Sequence, residues 1–138
     1  MKRLFTASLT VLCCATLFGQ SIIADGAELQ KVANDYKFTE GPAANAFGDV
    51  YFTDQPHDRI MIWRAGGSIE TFLQPSGRSN GLCFDVNGYL WACADEKNQL
   101  WRIAPDKTIK VILDNYLGDL LNGPNDLWIA PDGGVYFT

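Results

Sequence analysis

A unit of about 40 residues recurs along this chain, in two full copies and part of a third. Glu40-Gly41-Pro42 opens one copy, Asn80-Gly81-Leu82 the next, and Asn125-Asp126-Leu127 the third. Each opener leads through a short strand into a turn, at Asn45 to Asp49, Asp85 to Gly88 and Pro131 to Gly134. Each turn leads into a second apolar run: Val50-Tyr51-Phe52-Thr53, Leu90-Trp91-Ala92-Cys93 and Val135-Tyr136-Phe137-Thr138. A fixed period in this range, carried by short strands, is the mark of a β-propeller. The expectation is therefore an all-β chain in which equivalent positions of successive blades converge on one axis.

The pattern divides the chain into a first blade over 38–77, a second over 78–122 and a partial third over 123–138. The first blade's strands are expected at Pro42–Ala46, Val50–Thr53, Arg59–Arg64 and Ile69–Leu73. The second blade's are expected at Leu82–Asp85, Leu90–Cys93, Gln99–Ile103 and Ile109–Leu113. The third supplies Leu127–Ala130 and Val135–Thr138. All are rich in Val, Ile, Phe, Tyr and Trp and are bounded by Gly, Asn, Asp and Pro. Residues 25–37 read as a lead-in able to pair with a later strand. Propellers close with roughly 4–8 blades, so about two and a half blades point to an N-terminal fragment of a ring.

Ahead of the repeat, Met1-Lys2-Arg3 precedes an uncharged, mostly apolar run from Leu4 to Phe18, with small residues Gly19, Ser21 and Ala24 behind it. That layout predicts a signal peptide over residues 1–24 and an exported product, periplasmic or secreted. The run is shorter than the ~20 residues of a membrane span. Removing it takes away Lys2 and Arg3 and no acidic residue, so the net charge moves from −5 to −7. An acidic chain without a basic stripe argues against nucleic acid as a partner. Cys83 and Cys93 fall on neighbouring strands of one hairpin whose turn does not set them opposite, which favours two buried thiols over a disulfide.

Antiparallel order gives the repeat a sidedness. Glu40, Asn80 and Asn125 begin first strands, while 54–58 and 95–98 follow second strands, so all should gather at one end of the blades. Oxygen donors ringed about an axis suit a hard divalent cation: calcium, which tolerates loose geometry, with magnesium and manganese also open. With His57 as the one histidine, no zinc cage is available. Two readings of Glu40 stay open: a metal ligand, or a polar start to a strand. Its departure from the Asn of the other copies favours a function. His57, Asp54 and Asp58 read as turn chemistry, and Trp63, Trp91, Trp101 and Trp128 as packing between blades.

The stretches Phe38-Thr39-Glu40-Gly41-Pro42, Val50-Tyr51-Phe52-Thr53-Asp54, Asn80-Gly81-Leu82-Cys83-Phe84-Asp85 and Leu121-Asn122-Gly123-Pro124-Asn125-Asp126, with Pro131 to Thr138, resemble the gluconolactonase/regucalcin (SMP-30/gluconolactonase/LRE-like) family. The likeness spans nearly all of 36–138. It implies a six-bladed propeller, an axial divalent ion and hydrolysis of sugar lactones. It assigns Glu40 as a metal ligand and Asn125 as facing metal and substrate. Asp126 becomes a support of the loop beside the substrate, and Asn80 a neighbour of the channel. A basic residue that some members carry two positions before the third-blade Asn is Gly123 here. The general base it implies belongs to later blades, so no catalytic residue is expected within 1–138 and activity from this segment alone is not expected. The rival expectation is a non-catalytic propeller acting as a binding or scaffold module, since fold does not fix function.

Overall fold

The computed structural model describes residues 22–138. The segment expected as a signal peptide lies, through residue 21, outside the described residues. The described residues up to Ala33 and the stretch Asn34–Thr138 form separate compact units. In the first, residues 22–33 carry no regular element, and the Ala27 N–H closes a turn on the Ala24 carbonyl at 3.0 Å. Among the described residues, no helix is long and apolar enough to cross a membrane.

The second unit is built from antiparallel strands. β1 (Thr39–Ala44), β2 (Val50–Asp54), β3 (Arg59–Trp63) and β4 (Ile69–Leu73) form one four-stranded sheet in chain order. β5 (Leu82–Phe84), β6 (Leu90–Ala94), β7 (Gln99–Ile103) and β8 (Ile109–Leu113) form the next, in the same order. β9 (Asn115–Tyr116) and β10 (Asp119–Leu120) make a small hairpin, and β11 (Leu127–Ile129) pairs with β12 (Val135–Phe137). The all-β expectation holds, and the strand positions follow the repeat closely.

Two departures have local causes. β1 starts at Thr39, three residues before the expected Pro42. Thr39 and Glu40 pair with Asp54 and Thr53, the register then shifts, and Ala43 resumes opposite Tyr51. This is a β-bulge that passes Gly41 and Pro42, whose missing N–H could not serve the ladder. Residues 25–37 form no strand among the described residues. Instead the buried Asp54 carboxylate accepts the N–H groups of Lys37 and Phe38, at 3.1 and 3.4 Å. Tyr36 meets Phe52 edge-on at 5.3 Å.

Period-two alternation makes β6 a shared wall. Its even residues Leu90, Ala92 and Ala94 join Tyr51, Ile60, Ile62 and Phe72 in one core between the two sheets. Its odd residues Trp91 and Cys93 join Leu100 and Leu127 in a second core, against which Ile129 and Val135 pack. Every residue of β6 is consequently buried. Ile60, Ile62, Leu90 and Ile103 are fully enclosed, each contributing about 1.5–3 kcal/mol over an exposed position. Trp91 and Trp101 are buried and Trp63 half-buried, as packing residues should be, whereas Trp128 is exposed. Cys83 and Cys93 are free thiols.

Candidate functional site

The three openers are joined through their backbones. A Cβ on Gly41 would collide with the Asn80 carbonyl oxygen, so β1 lies directly against the second opener. A Cβ on Gly81 would strike Asp126, and the Gly81 N–H donates to the Asn125 carbonyl at 2.7 Å. Close approach of this kind requires glycine. Gly41 adds a left-handed φ of 58°, which the bulge imposes. The Glu-Gly and Asn-Gly pairs therefore mark where neighbouring blades touch.

Glu40 sits on the bulge, half-buried, with its own carbonyl accepting the Thr53 hydroxyl at 3.0 Å. A bulge of this kind re-aims the side chain it carries. The Glu40 carboxyl is held above its usual range, first by burial, then by the negative charges of Asp126 and Asp95. The same fields act on Cys93: burial foremost, then Asp126 and Glu40, push its thiol up to about 12. Glu40, Asp95, Asp126 and Cys93 thus share one electrostatic neighbourhood.

Asn80 is buried, and its N–H donates to the Cys93 carbonyl at 2.9 Å. Asn125 is exposed, with its N–H on the Thr138 carbonyl at 2.7 Å. The Asp126 carboxylate accepts the Leu127 N–H at 2.8 Å, so it also orders its own loop.

Asp95 was not singled out by the sequence as a site carboxylate. It begins the single 3-10 turn Asp95–Lys97, the counterpart of Gln55–His57 in the first sheet. The Gln55 amide lies 3.5 Å from its carboxylate. Its Oδ1 fills the space a side chain on Gly123 would need. Gly123 and Arg78 are equivalent. Each has a positive φ, 59° and 49°, and each donates its N–H to the last residue of the preceding turn, Asn98 at 2.9 Å and Asp58 at 2.7 Å. The position held by Gly123 is a cation one blade earlier, where the Arg78 guanidinium reaches Gln55 at 3.4 Å. Comparing the two copies at this position would have found it.

His57 belongs to a different cluster. Its Nδ1 lies 2.6 Å from the buried Asp54 carboxylate, which also accepts Arg59 through Nε at 3.0 Å and through its terminal nitrogen at 2.8 Å. His57, Arg59 and the Lys37 and Phe38 N–H groups outweigh burial and hold Asp54 down at about 2. Asp58 accepts the Ser76 and Arg78 N–H groups at 2.9 and 2.7 Å, the turn chemistry expected of it.

The carboxylates and carboxamides of the opener end offer oxygen donors, and no cation of the described residues is among the groups that shift Glu40. That chemistry fits a hard divalent ion. Among the described residues, no group of three His, Cys, Asp or Glu side chains is gathered closely enough to enclose one.

The model of the SMP-30/Gluconolactonase/LRE-like region matches residues 38–138. A gluconolactonase from Zymomonas mobilis subsp. mobilis is 29% identical over 125 residues, covering 80% of this chain and 35% of that protein. An X-ray structure assigned as a gluconolactonase superposes with a TM-score of 0.78 at 34% identity, covering 83% of this chain and 40% of that one. A calcium-binding regucalcin from Agrobacterium tumefaciens matches in fold, with a TM-score of 0.62 at 16% identity over 80% of this chain and 41% of its own. The chain thus spans about a third of the length of the curated relative it matches.

Proposed function

The chain belongs to the SMP-30/gluconolactonase/LRE-like family of β-propellers, and from that membership we propose that it forms the opening blades of an exported, metal-dependent sugar-lactone hydrolase. The observation that carries this reading is the meeting of the openers. Glu40, its carboxyl raised by burial and then by Asp126 and Asp95, stands beside Gly41, which meets the second opener, whose Gly81 in turn meets the third. A calcium-binding relative of the same fold supports a divalent ion, with calcium the first candidate.

In this reading Glu40 ligates the ion, and its like-charged neighbours make the end attractive to one. Asn125 faces the ion and the sugar with a carboxamide that both donates and accepts hydrogen bonds. Asp126 fixes the loop through Leu127, and Asn80 lines the channel. A bound divalent cation polarises a lactone carbonyl and lowers the pKa of water beside it. The general base is assigned to later blades.

The test is hydrolysis of D-glucono-1,5-lactone, followed by proton release, in the protein whose first blades this segment forms. Chelation should stop turnover. Glu40→Gln should lower kcat/KM by about 100-fold or more, the scale of a lost electrostatic contribution of a few kcal/mol. Metal-independent turnover, or no turnover together with tight sugar binding, would favour the rival propeller binding module.

A further inference from the structure

At the other end of the strands, the two sheets part to leave a cleft of about 840 Å³. Its floor is aromatic. Tyr51 meets Phe72 at 4.9 Å and Phe84 at 5.0 Å, both edge-on. At its mouth stand two large apolar side chains on turn tips, Phe47 at 86% exposure and Val86 at 96%. One exposed apolar residue means little; two flanking one aromatic cleft resemble the lining of a ligand site.

The polar groups of the mouth are sorted by partner. Asp49 and Glu70 are both engaged by Arg64, at 3.2 and 2.7 Å. Asp85 accepts the Trp91 indole N–H at 3.0 Å and the N–H groups of its own turn. Lys107 alone of these has no carboxylate partner among the described residues. Its ammonium stands 5.6 Å over the Phe72 ring. It also holds a left-handed φ of 71°, where the equivalent turn of the first sheet uses Gly67. That conformation is one a residue with a Cβ disfavours.

We propose that this cleft binds a small aromatic monoanion, its ring against Phe72 and Phe84 and its carboxylate or sulfonate on Lys107. The walls supply apolar area and Lys107 supplies the charge that selects the anion. The cleft lies on residues the lactone site does not use, so the two stand or fall separately.

The test uses the full chain and two probes that share one body: 8-anilinonaphthalene-1-sulfonate and its uncharged analogue N-phenyl-1-naphthylamine. Amide shifts on titration locate the binding, and fluorescence gives the affinity. The sulfonate should shift 44–49, 84–88 and 103–107. Lys107→Glu should weaken it by about fivefold or more, in keeping with one partly desolvated charge contact, and leave the neutral analogue unchanged. Phe47→Ser with Val86→Ser, both on exposed positions that leave the core intact, should weaken both probes. Shifts centred on Trp128 and Tyr136, equal affinity of the two probes, or indifference to Lys107→Glu would each overturn the proposal.

Discussion

Glu40 and Asp54 are carboxylates of one strand pair, pushed in opposite directions. Asp54 is held at about 2 by His57, Arg59 and two backbone N–H groups. Its folded pKa is depressed, so its contribution is present above the ordinary carboxylate range and lost as pH falls through it toward 2. Asp54→Ala should cost about 2–3 kcal/mol at neutral pH, the scale of hydrogen bonds to a charged group. The same variant should flatten the acid limb of a pH-dependent urea titration. Glu40 is raised by burial, Asp126 and Asp95, so its contribution is greatest when protonated and is lost as pH rises through its folded pKa. Asp126→Asn should lower the Glu40 pKa toward the ordinary range, as read by carbon NMR of its side-chain carboxyl; an unmoved pKa would refute the shared neighbourhood. Glu40 was legible in the sequence because it breaks an Asn pattern. Asp95 was not, because a polar residue after a second strand looks like any turn until its field on Glu40 is known.

The elements that place the site are the bulge of β1 and the backbone contacts between openers. Gly81→Ala should be strongly destabilising, because its Cβ meets backbone atoms of Asn125 and Asp126 that cannot move aside. Gly66→Ala, at an ordinary φ with nothing within 4 Å, is the matched control. The difference between them should exceed about 1 kcal/mol in chemical denaturation. A small difference would mean that the openers do not depend on close contact. The strands were legible from alternation and turn residues. The bulge was hidden because Gly41-Pro42 reads as the end of a loop, although Thr39 and Glu40 already pair across it. The β9–β10 hairpin was hidden too: two-residue strands carry no alternation, and Leu117 turns with a φ of 53° that its side chain disfavours.

Across the whole molecule, protection is graded by how many faces of each sheet are covered. β6 is buried on both faces, while Trp128 and Tyr136 of the β11–β12 hairpin are 58% and 62% exposed. Amide exchange should be slowest in β6 and β7 and fastest in β11 and β12, following local burial; uniform rates would contradict two stacked cores. The propeller itself was the most legible feature, since a period repeated along the chain is a global property written locally. What the period could not give was the identity of every group turned toward the axis. Calcium titration of the chain followed by NMR tests whether Glu40 takes a divalent cation where the openers meet. The prediction is that Glu40, Asn125 and Asp126 shift together, and that Glu40→Gln weakens binding by about tenfold or more, equivalent to about 1.4 kcal/mol. Shifts confined to the turn carboxylates Asp49 and Asp85, or equal affinity in the variant, would contradict it.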